Sequence, residues 1–105
     1  MLNLQEIRND LKENRYYYSR KEFIDLATSI IGHNEVIDKV KKYHYAAQSL
    51  PPKLLDVYFN LYVRNYTQER LALELGYTPE YIQMQHKKLL LSLKSFFESE
   101  NRVTI

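Results

Sequence analysis

The chain of 105 residues has no cysteine and contains only two glycines and three prolines. Without cysteine, disulfide scaffolds, thiolate metal sites and cysteine nucleophiles are all excluded. The small number of glycines leaves little material for β-hairpins, because their tight turns need Asn-Gly or Gly-X pairs. Leucine, lysine, glutamate and glutamine, which favour helices, are frequent instead. The composition therefore predicts an all-α protein.

Long hydrophobic runs are also missing from the sequence. No segment approaches the roughly 18 consecutive apolar residues of a membrane-spanning helix, and the first residues lack the apolar run of a signal peptide. Hydrophobic residues still make up 45% of the chain, which is enough to bury a core. We therefore expect a folded, cytoplasmic protein that has no membrane partner.

Charge is nearly balanced along the chain, with a net value of +2. Residues 1–50 hold eight Lys and Arg against seven Asp and Glu, and residues 51–105 hold seven against six. The stretch from Tyr81 to Phe97 has no acidic residue but contains Lys87, Lys88 and Lys94. Any interaction with nucleic acid must therefore depend on local charge.

Helical periodicity covers the first third of the chain. Residues 2–17 predict one helix, with a buried stripe of Leu4, Ile7 and Leu11. Ser19 and Glu22 have the spacing of a capping box, and Tyr18 and Phe23 occupy the flanking positions of a hydrophobic staple. This pattern predicts a second helix from Arg20 to Ile31 that ends at a left-handed Gly32. Its expected buried residues are Phe23, Ile24, Ala27 and Ile31.

Four further helices follow from the capping signals. Asn34 is expected to cap the third helix, which must end near Leu50 because a proline follows. Pro51-Pro52 opens the fourth helix, Thr67 caps the fifth and Gly76 ends it. The sixth begins with Thr78-Pro79-Glu80 and extends to Glu98. The expected apolar positions are Val36, Ile37, Val40, Tyr43 and Ala47 in the third helix, and Leu54, Leu55, Tyr58, Leu61 and Tyr62 in the fourth.

The last two helices have the pattern of a helix-turn-helix. This motif needs a small residue where the helices cross, a residue in the turn that tolerates positive φ, and an apolar residue early in the second helix. Ala72, Gly76 and Ile82 meet these demands, and Leu71 and Leu75 are expected to complete the inner face. The exposed face of the second helix would then carry Tyr81, Gln83, Met84, Lys87 and Lys88.

The segment LPPKLLDVYFNLYVRNYTQERLALELGYTPEYIQMQHKKLLLSL, from Leu50 to Leu93, resembles region 4 of the sigma-70 family. The shared features are the Leu-Pro opening, an apolar helix that ends in Tyr, a Thr-capped Leu-Ala-x-x-Leu-Gly helix, Thr-x-Glu-x-Ile, and a basic tail with regular leucines. In its size and layout, the chain also resembles ArpU/RinA-type regulators of phages and mobile elements.

The sigma-70 resemblance implies a set of DNA-binding residues. The base-reading positions of the family fall on Pro79, Glu80, Gln83 and Met84, and a backbone contact falls on Lys88. The amino end of the helix that Thr67 caps would face a phosphate. Gln85 departs from the family pattern, because that position is normally apolar; either the helix is rotated or this residue meets a partner. The complete expected DNA-binding set is Thr67, Gln68, Thr78, Pro79, Glu80, Tyr81, Gln83, Met84, Lys87 and Lys88.

The sequence shows no sign of catalysis or of a cofactor. His33, His44 and His86 are scattered and have no metal-ligand spacing. No Ser/His/Asp order or glycine-rich phosphate loop is present. We therefore expect a non-enzyme without a metal.

The leading hypothesis is a sequence-specific DNA-binding transcription regulator built as one compact bundle of about six helices. Residues 50–98 would form the DNA-binding unit. Residues 1–49 would brace this unit and would contact a second copy or RNA polymerase. Residues 99–105 would form a tail. One alternative is a protein-interaction module that binds host RNA polymerase, a sigma factor or a defence complex; the ten tyrosines and the near-neutral charge favour it. A further alternative is the detached recognition domain of a DNA-processing enzyme.

Overall fold

The computed structural model describes residues 3–32 and 34–103, and this part of the chain is all-α, as predicted. It contains six α-helices and one π-helical turn, and it has no strand. The helices are α1 (Leu4–Ser19), α2 (Lys21–Ile31), α3 (Glu35–Ala47), α4 (Pro52–Tyr58), α5 (Gln68–Leu75) and α6 (Pro79–Val103), and the π-helical turn is Phe59–Val63.

The first helix starts with a capping box that the sequence analysis did not identify. Oδ1 of Asn3 accepts a hydrogen bond from the amide of Glu6 at 2.9 Å, and the amide of Asn3 donates to Oε2 of Glu6 at 3.4 Å. The predicted stripe is confirmed, since Ile7 and Leu11 are fully buried and Leu4 packs against the same core. The predicted start at residue 2 lies outside the described residues.

The predicted capping box at Ser19 and Glu22 is wrong. Ser19 is the last residue of α1, and its hydroxyl donates to the carbonyl of Tyr16 at 2.7 Å. The chain turns at Arg20 alone, and α2 begins without a side-chain cap. This turn directs Ile24 into the core, while Phe23, which was expected to be buried, is 72% exposed. Gly32 ends α2 with a φ of 92°, as predicted.

The remaining buried positions expected for α2 have mixed outcomes. Ala27 is half-buried and therefore only partly covered. The side chain of Ile31 lies outside the described residues.

The third helix follows the sequence pattern closely. Oδ1 of Asn34 accepts a hydrogen bond from the amide of Val36 at 2.7 Å, so the predicted cap is present. The predicted apolar face is confirmed, with Val40, Tyr43 and Ala47 buried and Val36 and Ile37 half-buried. Since Tyr43 also donates to Oδ2 of Asp10 at 2.7 Å, this face ties α3 to α1.

The fourth helical segment contains a feature that periodicity did not predict. After Tyr58 the backbone changes to a π-helical turn, in which the amide of Arg64 donates to the carbonyl of Phe59 at 2.9 Å. Leu61 and Tyr62 are buried there, as expected, and so are Leu54 and Tyr58 in α4. Leu55 was also expected inside but is 38% exposed. It follows the buried Leu54 and lines an open groove together with Phe59 and Val63.

One hydrophobic cluster joins both halves of the chain. It contains residues from α1, α3, α4, the π-helical turn, α5 and α6, including Ile7, Tyr43, Leu61, Leu71 and Leu90. A smaller cluster of Tyr17, Ile24 and Val40 attaches α2. Residues 1–49 and residues 50–98 therefore contribute to the same core. The last helix also continues past Glu98 to Val103, so most of the predicted tail is helical.

Two buried polar groups in this core have no hydrogen-bond partner within the described residues. They are the side-chain amide of Asn14, which is fully buried on α1, and the hydroxyl of Tyr58 on α4. Because a buried polar group without a partner loses its hydration, both positions reduce the stability of the fold.

Candidate nucleic-acid interface

The first helix of the candidate motif, α5, begins at a threonine cap. Oγ1 of Thr67 accepts a hydrogen bond from the amide of Arg70 at 3.1 Å, which satisfies one of the free donors at the helix start. Leu71 and Ala72 are both 1% exposed and face α6 and the core. The small side chain of Ala72 lets the two helices approach, as the sequence predicted.

The turn between the helices depends on Gly76. Its backbone is left-handed, with φ 74° and ψ 26°. The amide of Gly76 donates to the carbonyl of Leu73 at 3.4 Å, and the amide of Tyr77 donates to the carbonyl of Ala72 at 2.9 Å. These two bonds form a Schellman motif, which closes α5 and sets the direction in which the chain leaves it.

The second helix, α6, begins at Pro79, three residues after the glycine. Oγ1 of Thr78 accepts a hydrogen bond from the amide of Tyr81 at 3.2 Å, and Pro79 and Glu80 occupy the first turn. Ile82 is 1% exposed and packs with the core, so the predicted contact early in this helix is confirmed. Leu75 does not complete the inner face, since it is 50% exposed. It lies in the last turn of α5, beyond the part that α6 covers.

The predicted residues on α6 form an exposed surface. At 3.6 residues per turn, Glu80, Gln83, Met84 and Lys87 lie along one stripe that points away from the buried Ile82 and Leu89. All four are exposed, and so are Thr78, Pro79 and Lys88. Tyr81 is half-buried at the edge of the stripe. From the amino end of α5, Thr67 is exposed and Gln68 is half-buried.

Two polar residues lie on or beside the buried side of α6. Gln85 is buried between Ile82 and Leu89, so it occupies the apolar position of the pattern and faces the core. The adjacent His86 forms a hydrogen bond with the hydroxyl of Tyr62 in the π-helical turn. Burial raises the pKa of Tyr62 to about 12. Burial, together with the charge of Arg8, lowers the pKa of His86, which favours the neutral imidazole.

Charge on the surface of the motif is mixed. Glu80 lies at the amino end of α6, and Glu69 and Glu74 are exposed on α5. Arg70 offsets one of these charges, because its Nε lies 3.4 Å from Oε1 of Glu74. The exposed Lys87 and Lys88 therefore lie beside a surface that is not uniformly basic.

Two basic residues that sequence reasoning missed also lie at this surface. Nζ of Lys53, at the start of α4, lies 5.4 Å from the ring centre of Tyr81, and this ring stacks on Tyr77 at 4.4 Å. Arg15 of α1 lines a cleft of about 300 Å³ together with Thr67 and Gln68. The Nε of Arg15 donates to Oδ1 of Asn65 at 3.2 Å. Since Arg15 is separated from Thr67 by about fifty residues, no local pattern indicates that they are neighbours.

Two other features are absent from the described residues. They contain no group of three or more histidine, aspartate or glutamate side chains placed to hold a metal ion. Nor does any helix in this part of the chain have the length and apolar character that crossing a membrane requires.

No protein-family model matches the chain, and no curated protein and no solved structure is significantly similar to it. The candidate interface therefore depends on the geometry of its own residues.

Proposed function

We propose that the protein is a sequence-specific DNA-binding transcription regulator of the kind that phages and mobile elements encode. The main support is the unit of α5, Gly76 and α6. Its helices pack through Ala72 and Ile82, and the stripe of Glu80, Gln83, Met84 and Lys87 remains exposed. An exposed helix after such a turn has the shape that fits the major groove of DNA.

In this proposal the two helices have different tasks. Side chains on the exposed stripe of α6 would contact base edges, with Gln83 suited to adenine because its amide can both donate and accept. Lys87 and Lys88 would contact phosphates on one side of the groove. The free amides at the start of α5, near Thr67 and Arg15, would contact a phosphate on the other side.

The affinity of one copy for DNA is expected to be low. The stripe carries no arginine, so the strong bidentate contact to guanine is missing. Glu69, Glu74 and Glu80 also repel phosphates. A second copy on the same DNA, or a contact with RNA polymerase, would supply the remaining affinity.

A second candidate function is a protein-interaction module, and a patch beside the turn favours it. Leu73 is 82% exposed, and Leu75, Tyr77 and Met84 are each exposed by about half. Exposed apolar patches with a charged border are typical of protein-binding surfaces. In this alternative, the helix-turn-helix serves as a scaffold for binding RNA polymerase, a sigma factor or a defence complex.

Selection of bound fragments from a random duplex library separates the two functions. We expect wild-type protein at low salt to enrich one sequence motif, with weaker enrichment by Lys88→Ala. Absence of any enrichment, from protein whose helicity is confirmed by circular dichroism, would reject the DNA-binding proposal and favour the interaction module.

A further inference from the structure

An apolar groove crosses the surface on the side of α3 and α4. The α3–α4 groove has a volume of about 480 Å³, and its apolar lining consists of Ala47, Leu55, Tyr58, Phe59 and Val63. Leu55 and Phe59 are exposed along it. These residues do not belong to the helix-turn-helix surface, and the proposed function does not use them.

One end of the groove is basic. Tyr18 and His44 line the α3–α4 groove and also a neighbouring cleft of about 300 Å³. The second cleft adds Lys41, which is exposed on α3 and has no ion-pair partner among the described residues. Asp56 of α4 also lines the α3–α4 groove, so the positive end of the combined surface is the second cleft, at Lys41. An elongated apolar surface with one positive end suits an amphipathic helix that carries an acidic residue.

The chain itself presents a helix of this kind. Ile24 attaches α2 to Tyr17 and Val40 through one side of the helix. On the other side, Phe23 is 72% exposed and Leu26 is 62% exposed. Because these residues are three apart, their side chains lie next to each other on the helix surface.

An acidic residue lies on the same side of α2. Glu22 is exposed, precedes Leu26 by one helical turn and has no ion-pair partner among the described residues. We call Glu22, Phe23 and Leu26 the outer face of α2. This face cannot fill the groove of its own chain, since the packing of Ile24 directs it outwards.

We propose that two copies of the chain associate by inserting the outer face of α2 from each copy into the α3–α4 groove of the other. Phe23 and Leu26 contact the apolar lining, and Glu22 pairs with Lys41. The contact is reciprocal, so a two-fold axis relates the copies and the assembly closes as a dimer. Each subunit contributes both surfaces, and each large apolar residue in them is covered.

This inference is independent of DNA binding. If the proposed function also holds, two recognition helices related by a two-fold axis would bind an inverted repeat. A dimer that enriches no DNA motif would reject the function alone. An enriched motif without any symmetry, from a protein that stays monomeric, would reject the dimer alone.

Sedimentation equilibrium of the full chain over a concentration series tests the apolar part of the contact. The wild type is expected to form dimers, and Phe23→Ser combined with Leu26→Ser is expected to raise the dissociation constant by at least about tenfold. Both side chains are exposed in the monomer, so helicity by circular dichroism should not change. The matched control is Leu91→Ser, an exposed leucine on α6 outside both surfaces, which should leave the dissociation constant unchanged.

Charge reversal tests whether Glu22 of one copy pairs with Lys41 of the other. Glu22→Lys and Lys41→Glu should each weaken the dimer, because like charges then meet in both halves of the interface. The double variant restores an opposite pair, so its dissociation constant should return towards the wild-type value. A wild type that is monomeric at every concentration, a dimer that is insensitive to the Phe23 and Leu26 changes, or a double variant without rescue would each overturn the proposal.

Discussion

The hydroxyl of Tyr62 is hydrogen-bonded to Nε2 of His86, and this pair links the π-helical turn to α6. The bond holds the flank of α6 that lies between the buried Ile82 and the exposed Gln83. It therefore influences how the proposed recognition helix is oriented. Since neutral and protonated imidazole have different hydrogen-bonding capacities, the link should depend on pH.

The stability of the fold should decrease in mild acid because of His86. Burial lowers its pKa below the ordinary value of 6.5. At a pH between the lowered pKa of the folded protein and the ordinary pKa of the unfolded chain, the unfolded chain binds more protons than the folded protein. The free energy of unfolding therefore falls as the pH falls below about 6.5. Above that pH, His86 is neutral in both states, and its contribution to the free energy of unfolding is fully present.

Urea denaturation between about pH 7.5 and pH 5 measures this dependence. His86→Gln should remove most of it. The control His44→Gln, at an exposed position on α3, should keep it. The same pH dependence in His86→Gln and in the wild type would show that another group is responsible.

Replacement of Gly76 by valine should destabilise the protein by about 1–3 kcal/mol, because a β-branched residue is strained at a φ of 74°. A Cβ at this position meets no atom within 4 Å, so the cost comes from the backbone alone. Gly76→Asn should cost less, since asparagine tolerates the left-handed region. Chemical denaturation compares the variants, and equal stability of Gly76→Val and the wild type would contradict the turn geometry.

Local signals in the sequence predicted much of this fold, and the reason differs from element to element. The caps at Asn34 and Thr67 and the left-handed Gly76 depend on residues a few positions away, so their patterns are readable in the sequence. Ser19 and Glu22 have an equally good capping pattern, but α1 continues through Ser19. At this end of α1, Tyr17 is buried with Ile24 and Val40, and we infer that this packing outweighs the local preference.

The candidate site was predictable to a similar extent. The exposed stripe of α6 follows from helical spacing and from the position of Ile82. In contrast, the proximity of Arg15 to Thr67 depends on how α1 packs, and nothing local to either residue indicates it. The π-helical turn also has no pattern of its own, because its apolar residues continue the spacing of α4.

Replacement of Asn14 by leucine should stabilise the protein by about 1–3 kcal/mol. The side chains of asparagine and leucine both branch at Cγ, so their shapes are similar. Leucine also removes the cost of a buried amide that has no hydrogen-bond partner among the described residues. Thermal or urea denaturation measures the gain. Asn9→Leu, at an exposed position on the same helix, should change stability by less than about 0.5 kcal/mol. A loss of stability in Asn14→Leu would mean that the amide makes a favourable interaction.

Replacement of Lys88 by alanine should weaken binding to all duplexes by a similar factor. If Lys88 contacts a phosphate, its removal eliminates about one released counterion. The negative slope of log K against log salt then becomes shallower by about one unit. Fluorescence anisotropy at several salt concentrations measures both quantities. Lys12→Ala, an exposed lysine on α1, serves as the control. Unchanged affinity and salt slope in Lys88→Ala would exclude the proposed docking of α6.

Replacement of Gln83 by alanine should change specificity in a different way from the lysine variant. A side chain that reads one base edge contributes only at that base pair, so Gln83→Ala should lose about 1–3 kcal/mol on the preferred sequence and little on sequences altered at that position. Its salt slope should equal that of the wild type, because no phosphate contact is removed. Repeating the library selection with this variant would show one relaxed position within an otherwise preserved motif. A uniform loss across the motif would instead assign Gln83 to orienting α6, and preference at that base pair would then come from a neighbour on the stripe such as Glu80 or Met84.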